Sequence, residues 1–210
     1  MKRAFDIVVS CMGLALLAWP FALIALAIKL SSQGPILYRQ QRIGRGGRPF
    51  GLYKFRTMRT VAGGPLITVE GDARITPVGQ VLRRWKLDEL PQLLNVLRGE
   101  MSIVGPRPEV ERFVRCYTPA QRRLLRQTPG LAGLSQLVYP HEADLLRGCA
   151  DPEAAYAQQL MPRKLAVDLQ YEESRTFRSD LWLLAEIALL ILGRRDRMDR
   201  GFRLTPLAKQ

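Results

Sequence analysis

The sequence predicts an α+β fold, predominantly helical, with a small membrane-embedded N-terminal element ahead of a compact domain. Three observations carry this. A charge-free apolar run opens the chain, short apolar stretches punctuated by glycine follow it, and leucines at helical spacing occupy the middle. The 210 residues suffice for one compact domain plus an anchor, and 47% hydrophobic content is that of a folded protein.

The first run, Ile7 to Ile28 (IVVSCMGLALLAWPFALIALAI), has about the 20 residues a helix needs to cross a bilayer. It lacks the small-residue cleavage pattern of a removable signal, which makes that the weaker reading. Pro20, well inside, removes a backbone hydrogen bond and predicts a break. Lys2 and Arg3 precede the run; Lys29, Arg39, Arg42, Arg45 and Arg48 follow it. Such flanks favour the cytoplasmic side. A helix broken at Pro20 that enters and leaves one leaflet satisfies both ends. A spanning helix with a proline kink is the alternative, and on the residues alone both stay open.

Residues 1–32 therefore form the expected membrane element, 33–195 the compact domain and 196–210 a basic tail. Ile36–Tyr38 and Phe50–Tyr53 read as short strands about a basic turn at Gly44–Gly47. Val78–Arg84 reads as a short helix. The next helix begins near Asp88, with Leu90, Leu93, Leu94 and Leu97 at i, i+3, i+4 and i+7. Pro91 suits its first turn and Gly99 its end. Ser102–Val104 is extended, and Pro106 and Pro108 restrict the backbone around Arg107. Thr118–Leu169 reads as mostly helical and polar, interrupted at Pro129-Gly130 and Tyr139-Pro140. Leu181–Leu192, broken only by Glu186, suits a helix lying on a membrane surface or a core.

The chain carries a formal net charge of +13, which implies an anionic partner: nucleic acid, an acidic membrane surface or a phosphorylated substrate. Cys11, Cys116 and Cys149 are scattered with no CxxC pair, so neither a zinc site nor a disulfide framework is supported. A single histidine, His141, excludes a multi-histidine metal site and gives a histidine-based triad little support.

In Trp85–Gly99 (WKLDELPQLLNVLRG) two adjacent acids, Asp88 and Glu89, stand among Arg83, Arg84 and Lys86, with Arg107 close behind. Alone, they read as helix-start residues beside the positive end of a helix dipole. Beside so many cations they suit a phosphorylated ligand instead, since arginine's planar fork matches phosphate oxygens. Carboxylates beside phosphate-binding cations point to Mg²⁺, and aspartate can itself be the nucleophile.

These residues carry a resemblance. Gln40–Met58 (QQRIGRGGRPFGLYKFRTM), Asp72–Pro108 (DARITPVGQVLRRWKLDELPQLLNVLRGEMSIVGPRP), Pro129–Leu137 (PGLAGLSQL) and Pro162–Tyr171 (PRKLAVDLQY) are similar to the bacterial sugar transferases, the monotopic polyprenyl-phosphate phosphoglycosyltransferases. The resemblance implies a cytosol-facing catalytic domain on a re-entrant helix in the bacterial inner membrane. It implies transfer of a phospho-sugar from a UDP-sugar to polyprenyl (undecaprenyl) phosphate, with release of UMP, at the start of surface polysaccharide synthesis. By position it implies Asp88 as nucleophile and Glu89 as its partner, both candidates to hold Mg²⁺. Arg56, Arg83 and Arg107 match phosphate-contacting positions, and Asp168 is a further active-site candidate. Lys54, Arg59, Arg74 and Arg84 are equally suited to solvated or salt-bridged roles.

Two departures stand out: Trp19 where a serine often precedes the proline, and Leu134–Tyr139 where many members carry a tryptophan. The expected partners are the UDP-sugar, polyprenyl phosphate and membrane lipids; no nucleic acid is expected, and a homodimer is left open. The competing readings are a glycosyltransferase that releases UDP and a non-catalytic basic membrane scaffold.

Overall fold

A computed structural model of the chain describes residues 1–59, 67–68, 71–140 and 142–193. His141 and the basic tail 196–210 lie outside the described residues.

The chain opens with helix α1 (Lys2–Ser31). It is long and apolar enough to cross a membrane, and little of its apolar stretch is buried. The expected break at Pro20 is not there: the helix continues through the proline. A proline removes one hydrogen bond, and here packing holds the helix on either side of it. Phe5, Val9, Leu14 and Leu17 sit against the core around Leu93 and Val96, whereas Phe21, Ile24 and Ile28 sit against Phe55 and Leu82.

A hairpin follows, β1 (Leu37–Ile43) and β2 (Pro49–Phe55), antiparallel with Leu37 opposite Phe55 and Ile43 opposite Pro49. Gly46 and Gly47 turn it with φ of 71° and 75°, in the left-handed region that glycine enters without penalty. The basic glycine cluster is therefore a hairpin turn. Next comes α2 (Pro77–Arg84), capped by Thr76, whose hydroxyl accepts from the Gly79 N–H at 3.0 Å.

A 3₁₀ turn at Leu87–Gln92 then runs into α3 (Leu93–Arg98). The expected helix from Asp88 is thus two elements, and the change of pitch rotates the buried face. Pro91, Gln92, Leu93, Asn95 and Val96 are buried, while Leu90, Leu94 and Leu97 are only half-buried. Asn95, fully buried, does what an apolar residue there could not. It accepts from the Tyr53 N–H at 3.0 Å and donates to the Gly51 carbonyl at 2.8 Å, satisfying the free edge of β2. Gly99, at φ 81°, ends α3 as its spacing predicts.

Strand β3 (Ser102–Val104) precedes α4 (Glu111–Val114) and a 3₁₀ turn at Gln121–Arg126. It pairs in parallel with β4 (Gly130–Ala132), a strand within the stretch expected to be helical. Helices α5 (Leu134–Val138), α6 (Glu142–Leu145) and α7 (Pro152–Ala155) follow, then a π turn at Tyr156–Leu160 that enters α8 (Met161–Ser174). The last described element is α9 (Phe177–Ile191). One apolar core gathers Phe113, Tyr117, Leu124, Tyr156, Leu160 and Leu165. A second gathers Leu52, Ile103, Val104, Leu137 and Leu183 beneath α1. The predominantly helical α+β character matches the expectation.

Candidate active site

Lys86 carries the backbone into the acids. It is the one non-glycine residue with positive φ, 55°, among the described residues. Such a conformation costs about 1–2 kcal/mol for a residue with a side chain. It reverses the chain between α2 and the 3₁₀ turn, which puts Asp88 and Glu89 against β2. Both carboxylates are buried, at 6% and 7% exposure.

The two acids are held differently. Glu89 Oε1 accepts from Lys54 Nζ at 2.8 Å and from Arg107 Nη2 at 2.6 Å, and its Oε2 faces Arg107 Nη1 at 3.3 Å. Burial alone would raise its pKa, but the charges of Arg107 and Lys54 outweigh burial and hold it well below the usual carboxylate range. No hydrogen bond reaches Asp88 from the described residues. Burial raises its pKa, with Lys54 pulling against that and the charge of Glu89 adding to it. One acid is neutralised by a fork of cations; the other, in the same low-dielectric spot, keeps both oxygens unclaimed.

Arg107 reaches Glu89 because its loop is pinned to the β4 region. The Gly105 N–H donates to the Ala132 carbonyl and the Gly130 N–H to the Pro106 carbonyl, each at 2.9 Å. The two backbones touch, since a β-carbon on Gly130 would lie 2.0 Å from the Gly105 nitrogen. The glycines of GPRP and PGLAG are what permit this approach.

The structure distributes the other expected residues unevenly. Arg83, half-buried on α2, lies 3.6 Å from the Met58 sulfur, and its charge bears on Asp88. Arg56 does not go to the acids. Its Nη2 donates to the Ser32 carbonyl at 2.8 Å, just beyond the end of α1, while Nε and Nη1 are buried without partners. Asp168 also stands apart from them. From α8 it accepts from the Ser135 N–H at 3.0 Å and hydroxyl at 2.8 Å, and the nearby backbone N–H of Arg107 favours its charged form. Burial pushes its pKa up to about 6 against those bonds. It seats the Arg107 loop from behind.

Sequence reasoning gave Lys54 no definite role, yet a signal was present. Phe50, Leu52 and Lys54 alternate along β2 on its buried face, and a lysine in that series needs an anionic partner. Glu142 and Lys164, which meet at 2.5 Å, carried no local signal because they are 22 residues apart.

Among the described residues no three acids, histidines or cysteines gather into a metal cage. The donor set still fits Mg²⁺, which is held through one or two carboxylates completed by substrate phosphates. Asp88, with its unclaimed oxygens, is the residue that would hold it, and Glu89 would join it only by releasing an oxygen from Lys54 or Arg107.

Comparison with known proteins gives this geometry a context. The chain is 42% identical over 185 residues to a UDP-glucose:undecaprenyl-phosphate glucose-1-phosphate transferase of Caulobacter vibrioides, covering 86% of this chain and 65% of that protein. It is 44% identical over 142 residues to the Escherichia coli protein of the same description, covering 65% of this chain and 31% of that one. It is 47% identical over 151 residues to the exopolysaccharide production protein PSS of Rhizobium leguminosarum, covering 65% of this chain and 73% of that one. The chain thus spans from about a third to about two thirds of the length of the first two relatives. The family model described as bacterial sugar transferase matches residues 1–194, taking in the hairpin, the paired acids and the Arg107 loop. The chain belongs to the bacterial sugar transferase family.

Proposed function

We propose that this protein transfers a sugar 1-phosphate from a UDP-sugar to undecaprenyl phosphate, releasing UMP, as an early step of surface polysaccharide synthesis. The observation that carries the reading is the asymmetry of the acids: Asp88 is buried and unclaimed beside a Glu89 already neutralised by Lys54 and Arg107.

In the first step an Asp88 carboxylate oxygen attacks the β-phosphorus of the UDP-sugar. An O–P bond forms, and the bond from that phosphorus to the oxygen bridging to the α-phosphate breaks. The bridging oxygen leaves on UMP with the bonding electrons. In the second step a phosphate oxygen of the lipid attacks the same phosphorus and displaces the Asp88 carboxylate, which leaves as it began. The product is a polyprenyl diphosphate sugar.

An anionic nucleophile approaching a diphosphate meets repulsion, and Arg107, Arg83 and Lys54 supply the offsetting positive charge without reorganising. Glu89 holds two of those cations in place. When bound, Mg²⁺ would add charge neutralisation to the transferred phosphoryl group.

Membrane topology enters the same proposal. The Lys2 ammonium at the start of α1 donates to the Val104 carbonyl at 2.9 Å, and Arg56 holds the Ser32 carbonyl beyond its end. A helix of about 45 Å fastened at both ends to one globular body suits a placement in which both ends stay on a single face, the cytoplasmic one.

The test is incubation with Mg²⁺, undecaprenyl phosphate and a panel of UDP-sugars, identifying the nucleotide released. UMP with at least one sugar, abolished in Asp88→Asn, is the expected outcome. UDP in its place would sink the mechanism in favour of ordinary glycosyl transfer, and release of neither nucleotide with any sugar would favour a scaffold.

A further inference from the structure

Beside the acids lies a second, connected set of charges that the phosphoryl chemistry does not use. Lys164 and Asp168 are one turn apart on α8 and share a face. The backbone N–H of Arg107 lies near Asp168 and favours its charge, and Lys164 donates to Glu142 Oε2 at 2.5 Å. The Lys164 ammonium also lies 3.4 Å from the Tyr156 hydroxyl. That hydroxyl donates to Glu109, two residues beyond Arg107, and Glu109 takes Arg42 as well, at 3.3 Å. One face of α8 thereby seats the Arg107 loop and Glu142 side by side.

Within this set Glu142 is the member that opens outward. The Lys164 side chain is 7% exposed and that of Glu142 33%. Its Oε2 is taken by Lys164, while Oε1 has no partner among the described residues. Burial alone would raise its pKa, but Lys164, Arg107 and Lys86 outweigh it, so the group is anionic at neutral pH.

We propose that Glu142 is a specificity-determining residue whose free carboxylate oxygen accepts a hydrogen bond from a hydroxyl group of the donor's sugar. This rests on the site being one for a nucleotide sugar. A carboxylate in that position repels phosphate, so the group it receives is a neutral donor. The sugar is the hydroxyl-bearing part attached directly to the phosphorus that Asp88 would attack. The ribose is separated from that phosphorus by the α-phosphate. Lys164 fixes the carboxylate's orientation, and a fixed charged acceptor discriminates hydroxyl configuration strongly, because the wrong epimer leaves it unpaired.

The experiment compares the Asp88→Asn protein, in which the proposed transfer should not proceed, with the Asp88→Asn/Glu142→Gln double variant in detergent. Binding of UDP and of UDP-sugars differing at one hydroxyl is measured by calorimetry. Glutamine keeps an oxygen for Lys164, and thermal melting of both proteins checks the fold. In the parent, UDP-sugar should bind more tightly than UDP. The Gln variant should lose about 10- to 100-fold for the preferred UDP-sugar, leave UDP unchanged and flatten the preference between epimers. An equal loss for UDP and UDP-sugar, or no loss for either, overturns the proposal. Should the Gln variant melt early, Glu142→Asp, which keeps the charge but withdraws it, must show the same selective loss or the proposal falls. The transfer reading fails separately: tight, Glu142-dependent sugar binding without UMP release by the wild-type protein would sink the reaction and leave the sugar contact standing.

Discussion

Asp88 and Glu89 are adjacent in sequence and chemically unlike in place, and Lys54 is the side chain that links their titrations. Its charge lowers the Asp88 pKa against burial, which raises it. In the proposed reaction the attacking form of Asp88 is deprotonated, so turnover should fall as pH drops through that raised pKa. Removing Lys54 removes a lowering influence and moves the acid limb upward. Lys54→Met should therefore shift the acid limb of the kcat/KM profile to higher pH and lower its plateau about 100-fold, in line with the loss of one preorganised cation. A profile lowered without movement would mean that Lys54 touches the substrate only and does not tune Asp88. This residue-level logic was half legible in advance. Paired acids among arginines are the sequence feature from which a phosphorylated ligand is expected. That Glu89 is the neutralised one and Asp88 the free one depends on Lys54 and Arg107 arriving from 35 and 18 residues away.

Elements explain which of these arrivals sequence reveals. The hairpin was readable because its alternation and its glycine turn are local. The leucine spacing after Asp88 gave a helix in the right place but with the wrong buried face, because a 3₁₀ turn at Leu87–Gln92 shifts the phase before α3 begins. Strand β4 was missed because three residues pairing in parallel with β3 carry no periodicity of their own. Yet that pairing positions Arg107. Gly130→Ala would set a methyl group 2.0 Å from the Gly105 nitrogen, a backbone atom that cannot swing aside. The overpacking should cost about 1–3 kcal/mol of stability, read as a lowered melting temperature. Turnover should suffer more than stability, by about 100-fold at a temperature where the variant is still folded, because in the proposed reaction displacing the Arg107 loop by an ångström is enough to misalign in-line attack. A variant with normal turnover and a lowered melting temperature would separate the β3–β4 contact from the site.

At the scale of the whole molecule, the question is how a protein with a net charge of +13 and an exposed apolar helix sits on a bilayer. Helix α1 turns Val8, Met12, Leu16, Trp19, Leu23 and Leu26 outward, and α9 turns Phe177, Leu181, Trp182 and Leu189 outward. The rings of Phe5 and Phe177 meet edge to face, centroids 5.3 Å apart, so the two apolar surfaces adjoin. Surfaces of this kind remain exposed only where lipid or another protein covers them. Composition could announce the apolar run but not the tether at each end, since Lys2 finds its carbonyl 102 residues away. That tethering makes topology testable. Ala4 and Lys29, both exposed near opposite ends of α1, can each be replaced by cysteine in a background free of Cys11, Cys116 and Cys149. A single-face placement on the cytoplasmic side requires both positions to react with an impermeant maleimide in inside-out vesicles and neither in right-side-out ones. A spanning helix would put them on opposite sides, and the contacts at its two ends could not then form together. Reaction of one position in each vesicle type would thus overturn the single-face arrangement and, with it, the proposed delivery of Asp88 to a lipid phosphate on that face.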